Sequence, residues 1–514
     1  MLSFVLVSNL AIAQMKEIEE DSLEIESPIY QPKRVEFEYE TDDTDFHVVN
    51  ANEKGILVVQ ERIERATEGF MWKIHLLDSA LDKVWSKDIL VQYGWTYIGY
   101  DFNQSDFLLL FSTSEYDSKE MLVMKIAQDG DNIVNHEITT ALPLDLSHFE
   151  VVGDGLIFGG TSNGRPAIVY YNLNVKRAIV LPGIYNNKSS IVSIETSDRY
   201  RLFSVSVSEK TTTNDYTISL KVFTSAGDLI FTSQLETELE KSLVDAVSTY
   251  FKNGEQYVSG TYSNRKTDKS LGFYLAKLKG GEQEFIKYHP YADLYNFFSY
   301  MRDKQKDRVK KRIDRKKIRG KKIKLNYRLL VHEIVRRGDE FILIGEAYYP
   351  KHGSNPYSNS MIYDPFMASS AQNNVQERFL GYQYTHAVVV GFNEDGEILW
   401  DNSFEINDVL TFSLEKNIQV NFQDDKIVML YIFEGTISSR VLSKGDAIQG
   451  KAVDSIKLEY ENDTVKDSKS EVNGLMEWYG KNFFAYGDQK IRNTVNREVE
   501  TNRKVFYINK IALK

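Results

Sequence analysis

The hydrophobic pattern of this chain repeats. Short apolar runs of five to eight residues recur along it, separated by polar turns, and a period-2 alternation of this kind marks half-buried β-strands. One strand returns most clearly. It reads Phe70-Met71-Trp72-Lys73-Ile74, then Met121 to Ile126, Ala167 to Tyr171, Tyr216 to Phe223, Leu271 to Leu278, His386 to Phe392, Thr436 to Leu442 and Lys504 to Ile508. A polar turn and a further strand follow each copy. The cleanest examples are FTSAGDLIFTSQL (223–235) and GFNEDGEILWDNSF (391–404). Glycine in such a turn supplies the positive φ that a tight antiparallel reversal requires.

Successive starts of this strand lie 51, 46, 49, 55, 115, 50 and 68 residues apart. Four-strand units at such a period predict propeller blades, because a single small sheet cannot bury both faces alone and stacking around an axis covers them. The expected class is therefore all-β, a β-propeller over 35–514 with one basic helical insertion. Eight recurring strands predict eight four-stranded blades; a seven-blade parse follows if one longer unit divides differently. A β-sandwich pair would not explain so many returns of one unit. The last unit offers three strands, Leu475 to Tyr479, Asn482 to Tyr486 and Lys504 to Ile511. An orphan strand at Val35 to Tyr39 is expected to supply the fourth and remove an open edge.

The 115-residue gap holds two insertions. One, about 290–324, is expected to be helical; the other, about 349–385, a long loop. Charge makes the first stand out. Residues 302–324 contain fourteen Lys or Arg and three Asp, a net of +11 in a chain whose total is −12. The apolar flank Tyr291 to Met301 and this basic run read as one helix, docked by its first turns, projecting its basic end and stopped at Gly320. Arg308, Lys310, Lys311, Arg312, Arg315, Lys316, Lys317 and Arg319 are its candidate contact residues. They suit an acidic partner protein of the cell envelope, an anionic glycan or an anionic membrane surface, or they complement the acidic body. Nucleic acid fits less well, since the aromatics sit at one end instead of being interleaved as stacking platforms. The long loop adds Tyr357, Tyr363, Phe366 and Tyr382 as aromatic candidates for capping one face.

Residues 1–13 form an apolar run ending Ala11-Ile12-Ala13, with Gln14 next, which predicts a signal peptide, then an acidic linker over 14–34 and a soluble periplasmic or extracellular protein. No cysteine occurs, which excludes thiol chemistry and disulfides. The Asp-x-x-Gly-x-[Ile/Leu]-[Trp/Phe] turn resembles that of exported bacterial β-propeller repeat proteins, and the Ala-x-Ala-Gln leader resembles those of Bacteroidota envelope proteins. The resemblance implies fold and export, not activity.

Catalytic motifs fail on inspection. Gly160-Thr161-Ser162-Asn163-Gly164 matches a nucleophile elbow in letters, but strands precede and follow it, so it predicts a hairpin turn. His332-Glu333 lacks a second His, because Arg336 occupies the place. No metal, cofactor or catalytic residue is expected. The sequence predicts a non-enzymatic interaction module of the envelope. The alternative is a glycan-binding or glycan-active propeller, whose site would gather scattered carboxylates at the axial channel mouth.

Overall fold

A computed structural model of the chain describes residues 26–514 apart from 41–43, 115, 213–214, 265–268, 324, 326, 355–376, 424–425, 445 and 448–449. The expected signal peptide and Tyr357, Tyr363 and Phe366 lie outside the described residues.

The fold is all-β, built from small antiparallel sheets whose strand order follows the chain. Repeating units can be followed at 46–92, 96–152, 133–180, 189–234, 242–290, 328–405, 419–455, and 464–513 joined by the strand Ile29–Glu38, in seven sheets of four to seven strands. All eight recurring strands of the sequence pattern are third strands of these units. Units two and three share one long strand, Ile133–Val152, and so merge into a seven-stranded sheet. Ile29–Glu38 begins earlier than the expected 35–39 and pairs antiparallel with Asn502–Leu513, with a register shift between Tyr30 and Lys33. Pro32, which lacks an N–H, sits in that shift.

Alternation along each strand sends successive side chains to opposite neighbours. In unit two, Phe107, Leu109 and Phe111 pack towards unit one, while Leu108 and Leu110 pack towards unit three. Eight separate apolar cores result, one between each unit and the next. The eighth joins the last unit to the first: Phe484, Phe506 and Ile508 meet Phe46, Val48, Ile56 and Val58. Phe46 stacks on Phe506 at 4.5 Å between ring centroids. Beneath this core lies a buried polar network. Arg503 pairs with Glu36 at 3.2 Å and Asp463 at 2.5 Å, and Arg34 with Glu36 at 2.7 Å.

The turns between third and fourth strands couple neighbouring units. Gly130 and Gly227 have φ of 72° and 85°. A Cβ on either would lie 2.8 Å from an aromatic ring of the preceding unit, Trp85 and Tyr170 respectively. Glycine is thus required twice, for the turn and for the ring beneath it. The same aromatics donate to the turn backbone: Trp85 Nε1 to the Gln128 carbonyl at 2.9 Å, and Tyr170 Oη to that of Ser225 at 2.7 Å.

The insertion after unit five departs from expectation. Its aromatic flank is not helical beyond a single 3₁₀ turn at Tyr291–Asp293, and the helix, α1, spans only Asp303–Ile318. Asp401, on the last strand of unit six, accepts the backbone N–H of Tyr295 at 2.8 Å and of Asn296 at 2.6 Å. With those donors satisfied sideways, the flank runs along the edge strand Ile398–Glu405 and buries Tyr291, Leu294, Phe297 and Phe298 in the core of units five and six. It thereby covers a row of unpaired edge groups. α1 docks by Val309 and Ile313, one turn apart in its middle, not by its first turns. It ends as expected, with Gly320 at φ 59°.

The second insertion is shorter than expected. The hairpin strands Glu340–Ser354 and Glu377–Asn393 run on past the sheet and stay paired from Ala347 and His386 to Ser354 and Glu377. Tyr382 is therefore a strand residue. The two long strands pair across Pro350 and Gly353, inside the expected loop.

Gly227→Ala is expected to lose about 1–3 kcal/mol through the positive φ and the clash with Tyr170. Val84→Ala, on an exposed position of a fourth strand, is expected to stay within about 0.5 kcal/mol. Chemical denaturation of both variants checks the difference.

Candidate functional site

Two surfaces carry concentrated chemistry. The first is built by the opening strands of the units. The opening strands of successive units touch one another, from unit one to two, two to three and three to four. Asp101, Glu150 and Glu195 occupy one register position, two residues from the first hairpin, opposite Leu108, Ile157 and Ser204. Asp245 lies on the opening segment of unit five, Glu333 on that of unit six, and Lys416 just before unit seven.

These groups feel one another across the molecule. Burial first, then repulsion from Asp101, Glu195 and Glu333, raises the Glu150 carboxyl from an ordinary 4.5 to about 8. Burial raises Glu195 to about 7, and Asp101 and Asp245 to about 6 each. At Glu333 burial acts upward, but Lys416, paired with it, outweighs burial and its pKa falls. Carboxylates from units two, three, four and six influence one another only if they converge on a shared interior space. Glu333 and Lys416 are nonetheless exposed, so that space is open to water.

Most of these carboxylates also act as links between units. Asp101 accepts the backbone N–H of Val151 in unit three at 2.7 Å. Glu195 accepts the N–H of Ser248 in unit five at 3.1 Å and its hydroxyl at 3.3 Å. Glu150, at the same register, has no such hydrogen bond among the described residues. Its carboxyl is the member of the set left without a structural task. Tyr250, 53% exposed, senses Glu195, Glu333 and Glu150 and belongs to the same space.

The second surface is α1. Arg308, Lys311, Arg312, Arg315, Lys317 and Arg319 are exposed, and Lys310 and Lys316 are half-buried. Lys310 bonds the Tyr295 carbonyl at 3.1 Å and lies 4.8 Å from that ring. Lys317 pairs with Asp293 at 2.6 Å. Arg308, Lys311, Arg312, Arg315, Lys316 and Arg319 have no acidic partner among the described residues. Complementing the acidic body thus accounts for little of this charge. Tyr382 stands apart from α1. It packs edge-on against Tyr348 at 5.6 Å and Phe379 at 5.1 Å, on the extended hairpin of unit six.

The rejected motifs are structural. Ser162, Asn163, Gly164 and Arg165 form a hairpin turn between Gly155–Ser162 and Arg165–Asn172. His332 is buried and bonds Glu346 at 2.7 Å. Among the described residues, no group of three or more His, Asp or Glu is arranged to hold a metal ion. The sequence reading missed the interior carboxylates. Their signal was present, an acidic residue recurring at 101, 150 and 195 in step with the repeat, but each alone reads as an ordinary polar strand position.

No family model and no curated protein matches the chain. Among solved structures it is similar to the polysaccharide lyase Uly1, at 7% identity and TM-score 0.41, covering 94% of this chain and 100% of that one. It is similar to the Dos1 propeller at 9% identity and TM-score 0.40, covering 94% and 96%. A prolyl endopeptidase matches at 8% identity and TM-score 0.38, and this chain spans half the length of that protein. Likenesses this weak carry no argument about activity.

Glu150 generates a pH prediction. Between about pH 4.5 and 8 the folded chain keeps a proton that the unfolded chain has lost, so stability falls as pH rises through that window. Glu150→Gln is expected to flatten this slope and to be more stable than the parent above pH 8. Thermal unfolding from pH 5 to 9 checks it; an unchanged slope would show that the carboxyl is solvated and ionised.

Proposed function

We propose that the eight units form a closed eight-bladed β-propeller, exported to the cell envelope, that works as a non-enzymatic interaction module with α1 as its contact for an acidic protein partner. The ring is supported by the cycle of eight inter-unit cores and by the pairing of Ile29–Glu38 with Asn502–Leu513. Export rests on the Ala11-Ile12-Ala13 leader alone.

One observation carries the functional reading. α1 is held by Val309 and Ile313, with Lys310 and Lys317 tied to Tyr295 and Asp293, and together with its C-cap Arg319 it leaves six cations with no acidic partner among the described residues. Arg308 and Arg312, Lys311 and Arg315, and Arg315 and Arg319 stand four apart, and each such like-charge pair weakens a helix by about 0.2–0.5 kcal/mol. Only the last turn gains, from the helix dipole. A surface that repels itself is stabilised by an anionic partner. Antiparallel units also send the 2–3 loops and the inter-unit connections to one face, so α1 shares its face with the extended hairpin bearing Tyr382.

Replacing Arg308, Lys311, Arg312 and Arg315 by Gln is expected to abolish capture of an acidic protein from envelope extract while leaving the melting temperature unchanged. Unaltered capture removes the role given to α1. Recovery of anionic vesicles instead of protein replaces the partner class.

A second reading has its own observation. A carboxyl raised to about 8 by burial and by neighbouring carboxyls meets the protonation requirement for a general acid. On this reading the axial channel binds or cleaves a glycan. A glycan array with the parent and Glu150→Gln chains separates the two: a hit lost in the variant favours the channel, and no hit favours α1.

A further inference from the structure

A cleft of about 450 Å³ opens beside the end of α1, between the turn that leads into unit five and the segment that follows the helix. Leu239, Lys241, Tyr262, Lys321, Ile323 and Leu325 define it. Its charge is unbalanced. Lys317 is paired with Asp293 at 2.6 Å, and Lys322 with Glu240 at 3.5 Å. Lys241 and Lys321 have no carboxylate partner among the described residues.

Lys241 is the unusual member. Its Nζ lies 4.4 Å from the Tyr262 ring centroid and 4.9 Å from that of Tyr288. It is half-buried, and burial lowers its pKa, while Glu238 acts upward from beyond ion-pair distance and Lys322 adds a smaller repulsion. Two ring faces replace part of its lost hydration, and they fix the ammonium group at the inner wall of the cleft. An anion bound there meets a positioned charge instead of a mobile surface lysine. Beside it, Leu239 is 91% exposed, a large apolar side chain with no cover, at the rim of the same cleft. Ile323 and Leu325 continue that apolar wall and are only partly buried.

We infer that this cleft takes a segment of an acidic protein partner, its carboxylate on Lys241 and Lys321 and an aliphatic side chain against Leu239, Ile323 and Leu325. The proposal rests on the reading of α1 as the contact for an acidic partner, and it names the site where that contact becomes specific. Isolated sulfate or a sulfated sugar would satisfy the lysines and leave Leu239 uncovered. The aliphatic wall is the feature that favours peptide.

The probe is a fluorescein-labelled peptide, Glu-Leu-Glu-Glu-Leu-Glu, titrated by fluorescence polarisation against the full chain at low salt. Lys241→Met, which keeps the stem on the tyrosine rings, and Leu239→Ser, at a position too exposed to affect folding, are each expected to weaken binding about tenfold, one step of 1.4 kcal/mol. A peptide with Ser in place of both Leu is expected to lose as much. The double variant Arg308→Gln/Arg312→Gln, on the far part of α1, is expected to stay within about twofold. Equal weakening by that variant and by Lys241→Met would mean diffuse attraction to the helix, which overturns the cleft but leaves the reading of α1 standing. Displacement of the peptide by a heparin oligosaccharide whose own binding ignores Leu239→Ser would overturn the choice of peptide. Absence of binding by the parent chain overturns the cleft outright, and the capture experiment with the α1 variant then decides the wider reading separately.

Discussion

A small antiparallel sheet that is apolar on both faces has to be covered twice, and every other feature of this chain follows from how that is arranged. Each unit offers one set of alternate side chains to the unit before it and the other set to the unit after. A linear stack would leave two faces in water, at the first unit and the last. Here the final core, with Phe506 on Phe46, removes both. The strand that makes this arrangement feasible comes from the far end of the chain. Ile29–Glu38 supplies the outer edge of a sheet whose other three strands are the last three of the sequence. The buried ion network of Arg34, Glu36, Asp463 and Arg503 spans the same junction. Such a network is costly to desolvate and penalises partial or shifted pairing more than correct pairing.

The side-by-side stacking of the units also decides where chemistry collects. First strands, which lie side by side, bring together residues roughly fifty positions apart. That is why Asp101 and Glu195 can bond the backbone of the next unit, and why Glu150, whose carboxyl has no hydrogen-bond partner among the described residues, feels the repulsion of Asp101, Glu195 and Glu333. Tight hairpins occupy one end of the strands, so bulk is added at the other. The basic helix and the lysine-floored cleft belong to that end.

The all-β repeat fold was readable because one unit is written again and again along the chain. Third strands such as Phe70 to Ile74 and Lys504 to Ile508 are apolar on both faces and punctuated by turn chemistry, so repetition compensated for the weakness of each copy. The closing strand was readable for a complementary reason: the last unit lacked one. Local context hid the rest. Tyr291 to Met301 has the apolar residues of a helix start, but Asp401, over a hundred residues away, takes up the backbone N–H groups of Tyr295 and Asn296, and the segment folds as successive turns instead of a helix. The shared strand Ile133–Val152 contains Pro143 yet continues through two sheets. The cationic residues of α1 were identifiable by charge alone. The interior carboxylates were not, because their proximity comes from the packing of successive units and not from any one segment.

The central claim is that the two distant strands close the structure and share its full stability. Native-state hydrogen exchange measures this directly. If the ring is closed, the hydrogen-bonded amides of residues 35–38 should exchange only through global opening, with protection within about tenfold of those of 505–508. Exchange of 35–38 at the rate of a frayed terminus, with 505–508 still protected, would contradict closure and with it the account of the fold.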